Sequence, residues 1–188
     1  MRIKPIALLL SLTLLQGCAA AVVAGTASAM SAANDRRTIG TQIDDNNIEI
    51  KGTLAIKSID RLSKHANISL VSVNGIVLMV GQVSNIEMQA EAENALKTIP
   101  AIRSVHNQLR IGTNIGLTTQ THDTWLTSKV KTKLLADENV SGNNIKVVTE
   151  NSEVFLMGLV APAEAEQAVE IARNISGVER VIKAFEYL

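Results

Sequence analysis

One stretch of this chain occurs twice, first as Ile68-Ser-Leu-Val-Ser-Val-Asn-Gly-Ile-Val-Leu-Met-Val-Gly-Gln-Val83. It aligns without a gap on Ile145-Lys-Val-Val-Thr-Glu-Asn-Ser-Glu-Val-Phe-Leu-Met-Gly-Leu-Val160, and Gly81 falls on Gly158. After a gap of one residue, residues 92–105 align on residues 168–181. The folded part of the chain is therefore predicted to consist of two copies of one small domain.

Each copy begins with a predicted helix and a hairpin. The helix is predicted to be capped by Asp44 or Asp45 in the first copy and by Asp123 in the second. Two strands follow, joined by a two-residue turn. Asn74-Gly75 is a strong type I′ turn signal, and Asn151-Ser152 is a weaker version of it.

A second helix and a third strand complete each copy. Ser84 and Glu87 have the spacing of a capping box, and Pro162 suits the first turn of the corresponding helix in the second copy. The second helix is predicted to end near Pro100 in the first copy and near Gly177 in the second. The third strand is predicted near residues 102–111 in the first copy and 178–187 in the second.

The fold class predicted from this order is α+β. It consists of two tandem αββαβ domains, each a three-stranded mixed sheet packed against two helices. The second strand of each copy, residues 76–80 or 154–157, is apolar on both faces. Because two helices cover only one face of the sheet, we expect the other copy to cover the far face.

The N-terminus has the pattern of a lipoprotein signal peptide. Arg2 and Lys4 precede an apolar run at residues 6–15, which is too short to span a bilayer. Leu15-Gln16-Gly17-Cys18 resembles the lipobox of bacterial lipoproteins, with a small residue before the only cysteine of the chain. That resemblance implies that Cys18 is the mature N-terminus and carries acyl chains. An ordinary signal peptide is the alternative.

The sequence divides into four predicted segments. A signal peptide covers residues 1–17, and a lipidated Cys18 with an Ala-rich flexible spacer covers 18–40. The two repeated domains cover 41–116 and 117–188. Residue 19 is Ala rather than the Asp that retains lipoproteins in the inner membrane, so the lipobox resemblance implies an outer-membrane, periplasm-facing location.

Two αββαβ copies, each with an apolar strand that ends in Gly81 or Gly158 and an Ala-rich second helix, resemble BON domains. Two such domains behind a lipobox resemble the outer-membrane lipoproteins of the DolP type. The run Asp123-Thr124-Trp125 and residues 149–160 carry most of this likeness. The resemblance implies phospholipid binding and a role in envelope integrity, with no catalytic activity and no cofactor. The first copy departs from the BON pattern because Gly52 lies inside its first helix. This glycine is expected to weaken the helix by about 1 kcal/mol relative to alanine.

Composition argues against several other functions. Without residues 1–17, the chain has 16 basic and 18 acidic residues. It therefore has no net positive charge that would attract nucleic acid. An enzyme needs a nucleophile, a base and an orienting group that converge, and a metal site needs ligands at characteristic spacing. The sequence shows neither set. His65, His106 and His122 have neither a His nor a Cys partner at the spacing of a metal site. We therefore expect no catalytic residues and no metal.

The helix around Trp125 differs from the rest of the chain. At about 100° per residue, Leu126, Val130 and Leu134 form its core stripe, and Trp125, the only tryptophan, points toward solvent. A basic helix with an outward aromatic residue suits an anionic lipid surface. The residues predicted to bind phospholipid are Trp125, Lys129, Lys131, Thr132 and Lys133.

The sequence is compatible with two functions. The first is a non-enzymatic envelope protein, anchored through Cys18, whose second domain docks on an anionic phospholipid membrane. The second is a protein-interaction module that docks the same helix on an envelope partner, with the lipid serving only as an anchor. For Trp125 itself, packing against the first copy or against the segment between the two copies is the alternative to membrane contact.

Overall fold

The computed structural model describes residues 35–188, of which Arg36–Leu188 form one compact unit. The predicted signal peptide, Cys18 and most of the Ala-rich spacer lie outside the described residues. The first repeat comprises α1 (Ile39–Lys57), α2 (Asp60–His65), β1 (Asn67–Val73), β2 (Ile76–Val83), α3 (Ile86–Leu96) and β3 (Ser104–Ile111). The second comprises α4 (Leu117–Ala136), a 3₁₀ turn (Gly142–Asn144), β4 (Ile145–Glu150), β5 (Glu153–Val160), α5 (Pro162–Arg173) and β6 (Arg180–Tyr187).

The two repeats share one sheet topology. In the first, β2 is central, antiparallel to β1 and parallel to β3. In the second, β5 is central, antiparallel to β4 and parallel to β6. The prediction of two three-stranded mixed sheets with helices is confirmed. The short helix α2, which follows directly on α1, was not predicted and belongs only to the first repeat.

Both hairpin turns have the predicted conformation. Asn74 and Gly75 have φ of 53° and 73°, and Asn151 and Ser152 have φ of 51° and 63°. Two successive positive φ angles define the type I′ turn, whose twist matches that of the flanking strands. The weaker signal Asn151-Ser152 therefore adopts the same turn as the stronger one.

The predicted caps of the two first helices are wrong. Helix α1 begins after Thr38, whose Oγ1 accepts a hydrogen bond from the Thr41 amide at 3.1 Å. The N-cap of helix α4 is Gly116, seven residues before the predicted cap at Asp123. Asp45 and Asp123 lie inside their helices and are buried, whereas Asp44 is exposed.

The two buried aspartates instead hold the hairpin turns. Asp45 accepts hydrogen bonds from the backbone amides of Asn74 and Gly75, both at 2.8 Å. Asp123 accepts from the amides of Asn151 and Ser152 at 2.7 and 2.9 Å. A carboxylate satisfies free backbone N–H groups in a turn by the same chemistry as at a helix N-terminus. Each first helix is thereby fixed to the hairpin of its own sheet.

The cap predicted for the second helix of the first repeat is displaced by one residue. Asn85, not Ser84, is the N-cap of α3, and its Oδ1 accepts from the Met88 amide at 2.9 Å. In the second repeat, Pro162 occupies the first turn of α5 as predicted, and Glu164 accepts from the Ala161 amide at 2.9 Å.

Gly52 has a packing role that helix propensity alone did not reveal. It is buried in α1, and a Cβ there would lie 2.6 Å from Leu70 Cδ1 and 3.0 Å from Leu96 Cδ2. Helix α1 therefore lies too close to β1 and α3 for a side chain at this position. The intrinsic cost of a glycine in a helix is offset by this close approach.

The two sheets pack face to face, as predicted from their apolar central strands. Buried residues from both repeats form one cluster between the sheets: Val73, Leu78, Val80, Phe155, Met157 and Ala184. Two further clusters lie between each sheet and its own helices. The compact unit is therefore built as helices, sheet, sheet, helices.

A segment just before α1 fastens the first repeat to the second. The Arg36 guanidinium forms a bidentate ion pair with Glu164, at 2.7 and 2.9 Å, and donates to the Leu159 carbonyl at 3.1 Å. The Arg36 amide donates to Asn144 Oδ1 at 3.2 Å, and Glu164 also accepts from the Ser141 amide at 3.3 Å. Because Arg36 favours the carboxylate form, the pKa of Glu164 is lowered to about 2.

This shift predicts an acid-dependent loss of stability. A lowered pKa in the folded state stabilises the protein above the ordinary value of 4.5, and this contribution is lost as pH falls toward about 2. We expect Glu164→Gln to be less stable than the native chain at pH 7 and to show a shallower loss between roughly pH 5 and pH 2. Urea unfolding across this range measures both. Glu170→Gln, which removes an exposed pair with Arg173, is the control. Parallel acid profiles for native and Glu164→Gln chains would contradict the assignment.

Candidate functional site

Helix α4 presents two distinct faces. Leu126, Val130 and Leu134 are fully buried in the core of the second repeat, as the periodicity predicts. Trp125 lies away from them and keeps 52% of its surface exposed. An exposed tryptophan of this size indicates an interaction surface.

The indole of Trp125 is held by neighbours on its own helix. Lys129 Nζ lies 4.5 Å from the centre of the ring, within the range of a cation–π contact. The His122 ring centre is 5.8 Å from that of Trp125, with the planes tilted by 37°. The aromatic ring and the ammonium group are therefore presented together.

A shallow, open depression lies beside Trp125. Its lining is mostly apolar and comes from the first three turns of α4: Leu117, Thr118, Thr121, His122 and Trp125. Leu117 is 79% exposed. Leu117 and His122 were not among the predicted site residues. Because Leu117, Thr121 and Trp125 are four residues apart, helical spacing would have found Leu117 if the helix had been predicted to begin before Asp123.

The predicted polar residues do not all reach this surface. Lys133 and Thr132 are exposed, and Thr132 Oγ1 donates to the Ser128 carbonyl at 2.9 Å. Lys131 is directed elsewhere: its Nζ donates to the carbonyls of Gly142 and Ile145 at 2.8 and 2.7 Å. The Lys131 ammonium thus joins α4 to the start of β4, and the structure does not place it with Trp125.

The surface of α4 carries positive charge without exposed carboxylates. Asp123 is the one acidic residue in the sequence of this helix, and it is buried with its oxygens on the hairpin amides. Lys129 and Lys133 remain on the outer side of the helix. The second repeat as a whole contains more acidic than basic residues, so α4 is a local exception to its charge.

Within residues 35–188, no group of three or more His, Cys, Asp or Glu side chains is placed to hold a metal ion. The three histidines lie apart: His65 ends α2, His106 is in β3 and His122 is in α4. In the same part of the chain, no helix is both long enough and apolar enough to cross a membrane.

Comparison with known proteins agrees with the repeat. The family model of the BON domain matches twice, at residues 44–113 and 122–188. The chain belongs to the BON-domain family. Helices α1 and α4 begin at Ile39 and Leu117, a few residues before the matched segments. The two repeats are hereafter BON domain 1 and BON domain 2.

Three relatives are similar over most of the chain. Outer membrane lipoprotein DolP of Haemophilus influenzae is 41% identical and covers 99% of this chain and 97% of its own. The 21 kDa hemolysin of Actinobacillus pleuropneumoniae is 38% identical, covering 82% of this chain and 79% of its own. Osmotically-inducible protein Y of Escherichia coli is 32% identical over 76% of this chain and 72% of its own.

The likeness to DolP confirms two predictions. The chain is a BON lipoprotein of the DolP type, because two BON domains match and the likeness extends over nearly its whole length. It is placed in the outer membrane as a lipid-anchored protein on the periplasmic face.

Proposed function

We propose that this lipoprotein is a non-enzymatic envelope protein whose BON domain 2 docks on anionic phospholipid and thereby supports envelope integrity. In this proposal a signal peptide, residues 1–17, is removed and Cys18 carries the lipid. The residues between Cys18 and Arg36 tether BON domain 1, predicted at 41–116, and BON domain 2, predicted at 117–188, since Arg36 is itself fixed to Glu164. The observation that carries the proposal is the exposed indole of Trp125 with Lys129 Nζ at 4.5 Å from its centre.

The residues of α4 match the layers of a membrane surface. An indole is amphipathic and partitions into the headgroup region, where the exposed Leu117 adds apolar area. Lys129 and Lys133 face lipid phosphates, and each lysine near an anionic surface contributes about 1 kcal/mol. No exposed carboxylate on α4 opposes this attraction. The contact is therefore weak by itself but selective for negative charge.

The lipid anchor makes such a weak contact sufficient. Two attachments on one chain convert the second binding step into an intramolecular one, with an effective concentration in the millimolar range for a short flexible linker. Acylation at Cys18 places BON domain 2 at the membrane, and α4 then determines which lipid it contacts. The anchor gives the location and α4 gives the selectivity.

Vesicle co-sedimentation tests the proposal. The chain from residue 19 onward, without its lipid, is expected to bind phosphatidylglycerol vesicles better than phosphatidylcholine vesicles. Trp125→Ala is expected to weaken binding to the anionic vesicles on the order of tenfold. Lys129→Gln with Lys133→Gln should remove most of the dependence on lipid charge and salt. Ile86→Ala, at an exposed apolar residue of α3, is the matched control and should bind normally.

Other outcomes favour a different function. Equal binding to both vesicle types, or no effect of Trp125→Ala, would contradict lipid docking by α4. A photo-crosslinker at residue 129 that traps one envelope protein after lipid removal would instead support the protein-interaction module.

A further inference from the structure

Helix α1 of BON domain 1 is apolar on a face that no other part of residues 35–188 covers. Ile39, Ile43, Ile50 and Leu54 are between 51% and 70% exposed. At 100° per residue, these four side chains fall within an arc of about 60°. Ile48, Gly52 and Ile56 are buried on the opposite side of the helix. The exposed row, hereafter the α1 stripe, runs along a helix about 28 Å long.

The BON fold does not require an apolar stripe here. Asp45 and Asp123 hold the hairpin turn in the same way in the two domains, so they align α1 on α4. This alignment places Ile39, Ile43, Ile50 and Leu54 of α1 on Leu117, Thr121, Ser128 and Thr132 of α4. Three of the four equivalents in BON domain 2 are polar, although both helices pack on their sheets in the same way. The α1 stripe is therefore an additional feature of domain 1, and its apolar area indicates a partner.

The spacing of the α1 stripe is symmetric. Its residues are separated by four, seven and four positions, so the order reads the same from either end. If a second α1 lies antiparallel, Ile39 faces Leu54 of the other copy and Ile43 faces Ile50. Asn46 and Asn47 then meet their counterparts at the twofold axis. A two-fold interface requires this reciprocity, in which residue i contacts j and j contacts i.

Charges on one flank match the same arrangement. Asp44 and Lys51 are both exposed, and both lie roughly 100° from the middle of the stripe on the same side of it. Residues on the same flank meet in an antiparallel helix pair and not in a parallel one. Asp44 of each copy thus faces Lys51 of the other, which gives two complementary ion pairs.

We propose that the α1 stripe is the contact surface for a second copy of this chain, in an antiparallel, two-fold symmetric pair of α1 helices. A lipid surface fits less well because α1 has exposed and partly exposed acids, Asp44 and Glu49, that balance its two lysines. The proposal is independent of lipid docking by α4. Membrane anchoring of both copies would raise their local concentration and favour the pair.

Sedimentation equilibrium of the chain from residue 19 onward tests for the pair. We expect a monomer–dimer equilibrium that depends on protein concentration. Ile43→Thr with Ile50→Ser, which installs the residues that α4 has at these positions, should weaken dimerisation roughly tenfold or more. Because BON domain 2 folds with Thr121 and Ser128, this variant should keep its thermal stability at low concentration. Ile86→Ser is the control and should dimerise normally. A native chain that is monomeric up to millimolar concentration overturns the proposal.

A charge exchange tests the antiparallel geometry. Lys51→Asp opposes Asp44 of the other copy and should weaken the dimer several-fold. Adding Asp44→Lys to the same chain restores two complementary pairs and should recover the native dimer. If neither change alters dimerisation, or if the double variant dimerises as weakly as Lys51→Asp alone, this interface is contradicted. If the native chain is monomeric and the Ile43→Thr/Ile50→Ser variant loses its binding to vesicles, the α1 stripe is a lipid contact instead.

Discussion

Gly81→Ala is expected to lower the free energy of unfolding by about 4 kcal/mol or more, which exceeds the cost of most single substitutions. Gly81 lies in β2 with φ of 124°, a conformation that an L-residue rarely adopts. A Cβ at this position would also overlap the carbonyl oxygen of Asn67 in β1. To accept alanine, β1 and β2 would have to separate where they are paired, and the core beneath them would open.

Urea unfolding of the chain from residue 19 onward measures this cost. Gly158→Ala should behave in the same way, because its φ is 155° and its Cβ would overlap the carbonyl oxygen of Asn144. Gly112→Ala is the matched control, since a Cβ there meets nothing within 4 Å. A Gly81→Ala chain that unfolds at the native urea concentration would show that β1 and β2 do not approach this closely.

Asp45→Ala is expected to cost about 4 kcal/mol of stability, because it leaves several buried groups without their acceptor. The carboxylate of Asp45 accepts from Ser72 Oγ at 2.7 Å and from the amides of Asn74 and Gly75 at 2.8 Å. It also pairs with Arg37 at 2.8 Å. Losing this carboxylate disconnects α1 from the hairpin.

Asp44→Ala gives the comparison for Asp45→Ala within the same helical turn. Asp44 is exposed, so its loss should change the unfolding free energy by less than about 0.5 kcal/mol at dilute protein concentration. Equal effects of the two substitutions would contradict the role of Asp45 at the turn. Asp45→Asn should recover only part of the stability, because an amide is a weaker acceptor than a carboxylate.

The repeat made most of the fold predictable. Hairpin turns and strand glycines leave strong local signals, and aligning Gly81 with Gly158 fixed the relation of the two copies. The starts of α1 and α4 could not be found in the same way. Asp45 and Asp123 have the chemistry of helix caps, and only the folded chain shows that the amides they bind come from turns about 28 residues later.

The candidate site was predictable where helical periodicity governs it. The exposure of Trp125 follows from its angle to Leu126 and Val130, and the structure confirms it. The direction of Lys131 does not follow from periodicity, because the carbonyls it binds belong to Gly142 and Ile145, beyond the end of its helix. Likewise, the clearance around Gly52 depends on Leu70 and Leu96, which are distant in sequence.

Emission from Trp125 is the most direct measure of docking by α4, because this is the only tryptophan in the chain. Adding phosphatidylglycerol vesicles to the unlipidated chain is predicted to shift the emission to shorter wavelength, as the indole leaves water for the headgroup region. Lipids brominated on the upper acyl chain should quench it. An unchanged spectrum with vesicles in excess, or the same shift with phosphatidylcholine alone, would contradict selective docking of BON domain 2 on anionic lipid.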